Sequence, residues 1–236
     1  MKKLKPEILE EFANKFRADN NLSQTQPIAL KSLLQKLNVL TSFRSLSDDF
    51  YGISIRSKDG NRFMMINFNR TKGRQHFTIC HELYHLFYEE NLTPNICSKD
   101  TQKEPSEVNA NYFASALLMP REGLYKELSI DEIESKEIPL SKIIYLEQYF
   151  SVSRQSILIR LKQLKFLSDK LFELYSSLPA KSTAREYGYD TALYEKGGRN
   201  LIIGSFGEKA KYLFDKGKIS EGHYCELMNQ IYHEKS

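Results

Sequence analysis

The chain has 236 residues, 41% of them hydrophobic, with 34 basic against 30 acidic side chains and a formal net charge of +4. A chain of this length and composition buries a real core, which excludes a disordered tail or a disulfide-stapled miniprotein. Its charge surplus is too weak a field to demand nucleic acid or an anionic membrane as partner, so any such function has to come from a local patch.

The chain starts MKKLKPEILEEF, with no apolar stretch that could serve as a secretory signal, so the cytoplasm is the expected compartment. Pro6 to Phe16 carries Ile8, Leu9, Phe12 and Phe16 at helical spacing. Pro27 is expected to open a second helix through Leu30, Leu33, Leu34 and Leu37. Between Phe50 and Phe68 the period changes to two, around the turn signal Asp59-Gly60, which predicts an antiparallel hairpin. From Gly73 to Tyr88 apolar residues surround the whole helix circumference, the mark of a buried helix. A loop with Pro94 follows, then a helix from about Pro105 that stops at Pro120. The longest run without Asp, Glu, Lys or Arg, Val108 to Pro120, falls short of the roughly 20 residues that span a bilayer, so no membrane partner is expected.

Leu140 to Leu167 is expected to form two short helices separated at Ser151 to Ser153. Ser176 to Gly204 is turn-rich, and a last helical pair, Phe206 to Phe214 and His223 to Tyr232, is punctuated by Gly217 and Ser220. The sum is an α+β chain: mainly helical, with a small antiparallel sheet and a helical C-terminal region. Three units are expected: 1–122, 123–168 and 169–236. Cys80, Cys97 and Cys225 are odd in number and lack CxxC spacing, so they read as small buried hydrophobes.

Glu82 is the only charged side chain between Gln75 and Tyr88, and a lone carboxylate in a buried helix is expensive unless it is paired, hydrogen-bonded or near a metal. It belongs to His81-Glu82-Leu83-Tyr84-His85, an HExxH motif. Four residues of helix set the two imidazoles about 40° apart on one face, where both can ligate one zinc ion. Glu82 then sits beside the metal as general base.

A catalytic zinc needs a third protein ligand and one open position. Glu107, Ala110, Asn111, Ala114 and Leu118 share one stripe of the next helix, and its alanines permit a close approach to the HExxH helix. Glu107 is thus the expected third ligand, with Asn111 one turn on accepting the free ring N–H of a ligand histidine. The alternative reading of Glu107 is a first-turn glutamate favoured by the helix dipole. Glu104 competes for the ligand role but precedes Pro105 and lacks the small-residue stripe.

The run RQHFTICHELYHLF followed by EVNANYFASALLMP resembles the ImmA/IrrE family of zinc metallopeptidases, whose hallmarks are an RFTxxHELGH helix and an ExxANxFAxxLLMP helix. The resemblance covers roughly Pro27 to Pro120. It implies a zincin-like domain with a gluzincin-like site holding one Zn²⁺ per chain, with His81, His85 and Glu107 as ligands and Glu82 as base. It further implies a protein substrate, a helix-turn-helix repressor encoded nearby, whose cleavage derepresses mobile-element or stress genes. The sequence departs from the family at two points. Tyr84 replaces the usual glycine of HELGH, where it either lines and narrows the cleft or packs in the core, and His76 stands where a basic residue is common. His76 reads as a surface or cap residue, His223 and His233 as remote from the metal, and Met119 as a core residue at a helix stop.

Leu140 to Leu167 also resembles the helix-turn-helix commonly appended to that family. Arg154, Arg160, Lys162, Lys165 and Lys170 against Asp169 make a local positive excess that would suit weak DNA binding; the other reading is a packing module whose basic residues are solvated. Three functions follow: a site-specific protease of a regulator, a non-proteolytic DNA-binding regulator, or a component of a toxin–antitoxin-type pair. The intact Glu82 favours the protease, because a structural zinc site has no need of a buried glutamate beside it.

Overall fold

Helix α1 (Pro6–Asp19) begins on proline, whose missing N–H costs nothing in a first turn. It buries Leu9, Ala13 and Phe16 as its period requires. The computed structural model describes residues 2–89, 95–98, 103–198 and 201–232; the Pro94 loop and His233 lie outside them. Helix α2 (Leu30–Lys36) starts three residues later than Pro27. The carbonyls of Ser23 and Gln26 turn inward to the buried guanidinium of Arg17, which holds the bent segment before α2 out of a helix.

Strands β1 (Val39–Arg44), β2 (Phe50–Arg56) and β3 (Arg62–Asn67) precede helix α3 (Lys72–Tyr88), and strand β4 (Asn95–Ser98) separates it from helix α4 (Pro105–Leu118). A two-residue strand β5 (Ile202–Ile203) completes the sheet in the order β4-β2-β3-β1-β5. The hairpin β2–β3 is antiparallel as expected, but the sheet as a whole is mixed, because β1 runs parallel to β3. The loop after β1 carries the chain past a strand's width, so the returning β3 slots between β1 and β2. Buried Asn67 fixes that loop: its amide donates to the carbonyls of Ser47 (3.0 Å) and Phe50 (2.8 Å), while its oxygen accepts the Leu46 N–H (3.2 Å).

Short helices α5 (Arg121–Glu127) and α6 (Ile130–Ser135) lead to α7 (Leu140–Phe150) and α8 (Arg154–Gln163). Then come α9 (Asp169–Ser177), α10 (Ala180–Glu186), a 3-10 turn at Ala192–Tyr194, and a terminal pair α11 (Phe206–Asp215) and α12 (Glu221–Tyr232). Helix α3 packs on β2 and β3, α4 packs beside α3, and α1 covers α4. Aromatic rings fill the seam: Phe12 stacks on Tyr88 at 4.7 Å, and Phe16 meets Phe113 edge-on at 5.8 Å. One apolar cluster joins Leu83 of α3 and Leu117 of α4 to Ile143 and Phe150 of α7 and to Ile157 and Leu161 of α8.

The carbonyls in the last turn of a helix have no partner within the helix, and α4 ends inside the protein. Two buried arginines satisfy it. Arg17 donates to Leu117 O at 2.9 and 2.6 Å, and Arg160 to Met119 O at 2.9 Å. Arg160 also grips Glu10 through two bonds of 3.0 and 2.6 Å, so α1, α4 and α8 meet at one ion pair.

Candidate metal centre and its cleft

Three side chains converge between α3 and α4. His81 Nε2 lies 3.1 Å from Glu107 Oε2, His85 Nε2 lies 3.3 Å from Glu107 Oε1, and the two Nε2 atoms are 3.1 Å apart. All three residues are buried, at 1%, 2% and 6% exposure. Glu104 is exposed at the cap of α4 and takes no part.

The far sides of the rings fix their protons. His81 Nδ1 donates to Asn111 Oδ1 at 2.9 Å, which leaves a lone pair on Nε2. His85 Nδ1 lies 2.9 Å from Glu89 Oε2, and Glu89 in turn accepts the hydroxyl of Ser106. With the proton drawn to Nδ1, His85 also presents a lone pair at Nε2. Two imidazole lone pairs and a carboxylate therefore point at one place, and among the described residues no N–H or O–H donates to Glu107 Oε2. Such a cluster repels itself unless a cation sits in it, and its donor set is the one zinc prefers. In the metal-free protein a proton plays that part. Burial opposes charge on His85, but its hydrogen bonds with Glu107 and Glu89 and the nearby Glu82 prevail and hold its pKa up at about 10. Burial pushes Glu107 the other way, and its contacts with His81 and His85 outweigh it and draw it down to about 2.

Glu82 is fully buried beside these ligands, with the Ser54 hydroxyl near it and no Lys or Arg paired to it among the described residues. Burial raises its pKa, against the opposing pull of His81 and His85. It rests over Gly52 of β2, where an added Cβ would come within 3.2 Å of Glu82 Oε1 and 2.8 Å of Thr78 Cγ2. A side chain at residue 52 would drive the carboxylate out of place.

A cleft of about 380 Å³ opens from the ligands. Arg74, Phe77, Thr78 and His81 of α3 form one wall, and Glu107, Asn111 and Ser115 of α4 a second. The third is the start and one face of α8: Ser153, Gln155, Ser156, Ile159 and Gln163. Tyr51 and Cys97 add to the lining from the sheet. Glu89, Cys97 and the α8 face escape a reading by motif. Only the i, i+4 spacing of His85 and Glu89, at the end of α3, hints at any of them.

Other expected residues sit elsewhere. Tyr84 does not line the cleft; it is 1% exposed and packs among Tyr88, Phe113 and His85, because its direction on α3 faces the α1–α4 seam. Arg154 and Arg160 are not a phosphate-facing surface either. Arg160 is consumed at the end of α4, and Arg154 is buried against Glu147, with a further bond of 3.0 Å to Thr183 Oγ1. Among the basic residues proposed to meet DNA, Lys162 and Lys165 are exposed, and Lys162 pairs with Asp169 at 2.8 Å. His76 is half-buried and caps α7, its Nδ1 donating to Ser151 O at 2.8 Å. Met119 is buried, as are Cys80 and Cys97, whereas Cys225 and His223 are exposed on α12. No helix among the described residues is long and apolar enough to cross a membrane.

No curated protein matches the chain. Among solved structures it is similar to a Mycobacterium tuberculosis transcriptional regulator, at 16% identity and a TM-score of 0.45, over 66% of this chain and 46% of that one. The chain thus spans about half the length of that structure. The Peptidase M78 family, described as the IrrE N-terminal-like domain, matches residues 34–162. That match takes in more than half of the chain, including α3 and α4 with the converging histidines and glutamates and α8 with the third wall of the cleft, and the chain belongs to this family.

Proposed function

We propose that the chain is a zinc-dependent endopeptidase in which His81, His85 and Glu107 hold the ion, Glu82 is the general base, and the substrate is a helix-turn-helix repressor. The observation that carries the reading is the pairing of a convergent two-histidine, one-carboxylate set with a buried carboxylate that forms no ion pair with Lys or Arg among the described residues. When bound, zinc supplies Lewis acidity to water and to the scissile carbonyl. Glu82 removes the proton from the attacking water and returns it to the departing amine, a cycle suited to a carboxylate whose pKa burial has raised. Asn111 and Glu89 keep the two rings turned so that their Nε2 lone pairs stay on the ligand side. The neutral amides and hydroxyls along α4 and α8 suit a polypeptide main chain. The repressor as substrate rests on the family resemblance.

Purified protein should carry about one zinc per chain by elemental analysis, and the double substitution His81→Ala, His85→Ala should abolish it. Glu82→Gln should keep the zinc, because Glu82 is not a ligand, and lose about 10²- to 10⁴-fold in rate, because an amide cannot take up the proton. The decisive test co-expresses a candidate helix-turn-helix repressor from the neighbouring genes with wild-type, Glu82→Gln and His81→Ala forms and follows its full-length band by immunoblot. Cleavage by wild type alone supports the reading. Equal disappearance with all three would assign cleavage to a host protease and make this chain an adaptor.

A further inference from the structure

Among the described residues that line the cleft, only Arg74 and Glu107 carry a fixed charge. Glu107 is committed to the metal centre. Arg74 is exposed, and its guanidinium has no hydrogen bond or ion pair among the described residues. Its basic neighbours are occupied: Arg70 lies over the Tyr51 ring at 4.8 Å and donates to Asp48 O, while the Lys72 side chain packs against Gly197. No acidic residue stands in the first turn of α3 to neutralise Arg74. A cation unpaired among the described residues, on the wall of a cleft whose other fixed charge is committed to the metal centre, is placed to meet an anion of the substrate.

We propose that Arg74 is a specificity residue that binds a carboxylate of the substrate two to four residues from the scissile bond, with a bulky apolar side chain of the same segment lying between them against Phe77 and Ile159. This inference rests on the peptidase reading and deepens it. Arg74, Phe77 and His81 stand on one stripe of α3. Arg74 is seven residues from His81, which at 1.5 Å per residue is about 10 Å along the helix. An extended peptide advances about 3.3 Å per residue, so a carboxylate meeting Arg74 lies about three residues from the bond held at the metal, with one residue of tolerance for the length of the arginine. Phe77, one turn from His81, falls opposite the intervening residues. Ile159 lines the same cleft from α8 at 39% exposure, high for an isoleucine.

The test is a binding measurement, independent of turnover. The probes are fluorescein-labelled peptide amides with a phosphinic isostere in place of the scissile bond and leucine beside it. Each carries Asp, or in its control Asn, at the second, third or fourth residue on either side. Fluorescence anisotropy on the zinc-loaded protein should show one register at which Asp binds about five- to tenfold more tightly than Asn at low salt, with the advantage shrinking as salt is added. Arg74→Gln should abolish the advantage while zinc content and thermal stability stay unchanged. Arg74→Glu should transfer it to the peptide with Lys at the same position. A peptide ending at that register, compared with its amide, separates a side-chain carboxylate from a chain terminus; a preference for either supports the inference. Peptides that bind in a zinc-dependent manner without an Asp preference, or with one that survives Arg74→Gln, overturn the inference and leave the peptidase reading standing. Absence of any binding that EDTA removes overturns both.

Discussion

Glu89 is the residue that ties the histidine of the second ligand position to the rest of the protein. It caps the C-terminal end of α3 four residues after His85, with one oxygen at the His85 Nδ1 and the other held by Ser106 at the start of α4. Removing such a partner frees the ring to rotate and lowers the basicity of the ligand atom, which typically costs about 10- to 100-fold in metal affinity. Glu89→Ala should therefore weaken zinc binding by that factor in competition with a chelating dye while leaving the ligand count intact. Unchanged affinity would reduce Glu89 to a packing residue. The protons of the cluster give a second prediction. Because the folded, metal-free protein holds the His85 proton up to about 10, against about 6.5 for an unperturbed histidine, zinc binding at pH 8 should release about one proton per ion. This is measurable by calorimetry in buffers of different ionisation enthalpy. A histidine raised on folding contributes stability that is complete below its unfolded value and lost as pH rises through its folded one. The metal-free protein should thus melt at a lower temperature at pH 9 than at pH 6.5, and zinc should narrow that difference. A metal-free protein equally stable at both would show that the proton does not stand in for the cation.

At the scale of elements, the cleft depends on how closely α3 approaches its neighbours. A Cβ on Gly73 would meet the backbone of the α7–α8 turn, at 2.7 Å from Ser153 N and 2.9 Å from Val152 C. His76 clasps the same turn through Ser151 O. Gly73→Ala has no flexible side chain to displace and must push the turn away, which should cost about 1–3 kcal/mol. It should lower the melting temperature and raise KM with little change in zinc affinity, since α8 walls the cleft and supplies no ligand. Zinc affinity falling along with KM would mean that the strain runs down α3 to His81 instead. The legibility of these elements follows from their physics. The HExxH pair, Glu107 and Asn111 announce themselves because helices convert local spacing into a shared face. Strands β4 and β5 are four and two residues long, too short to show a period, and they exist only because β1 and β2 offer them edges. Cys97 reaches the cleft through that long-range pairing. Arg154 and Arg160 look like surface charge until their partners are known. Those partners, Glu147, Glu10 and the carbonyl of Met119, are set by packing and have no signature in the local sequence.

At the scale of the whole molecule, the expected units 1–122, 123–168 and 169–236 can be tested by where the chain tolerates a cut. The apolar cluster runs across residue 122 from α3 and α4 into α7 and α8, and Arg160 of α8 closes the end of α4. Beyond residue 168 the chain returns to the sheet and to the first turn of α3. Ile202 and Ile203 pair with β1, the Lys72 N–H donates to Glu195 O at 2.8 Å, and buried Gln75 donates to Gly197 O at 2.7 Å. Tyr194 donates to Glu147 at 2.6 Å and Thr183 accepts from Arg154, so the same segment completes the network around a buried charge pair. The final pair is different. In α11 only Ala210 is buried, and α11 and α12 meet mainly each other, with Phe214 stacked on Tyr224 at 4.9 Å. Ending the chain at Gly204 should therefore shift the melting temperature by no more than about 2 °C, the scale of less than 1 kcal/mol for a chain of this size, and leave zinc affinity unchanged. Ending it at Ser168 strips partners from Glu147, Arg154 and Gln75. Leaving buried polar groups without their hydrogen-bond partners costs about 1–3 kcal/mol each, so with three such bonds lost this form should melt at least about 6 °C lower or fail to fold. Differential scanning calorimetry on the two truncated chains decides the matter. If they melt alike, the return of residues 169–204 to the sheet contributes nothing, and the helical region after residue 168 is a single detachable unit.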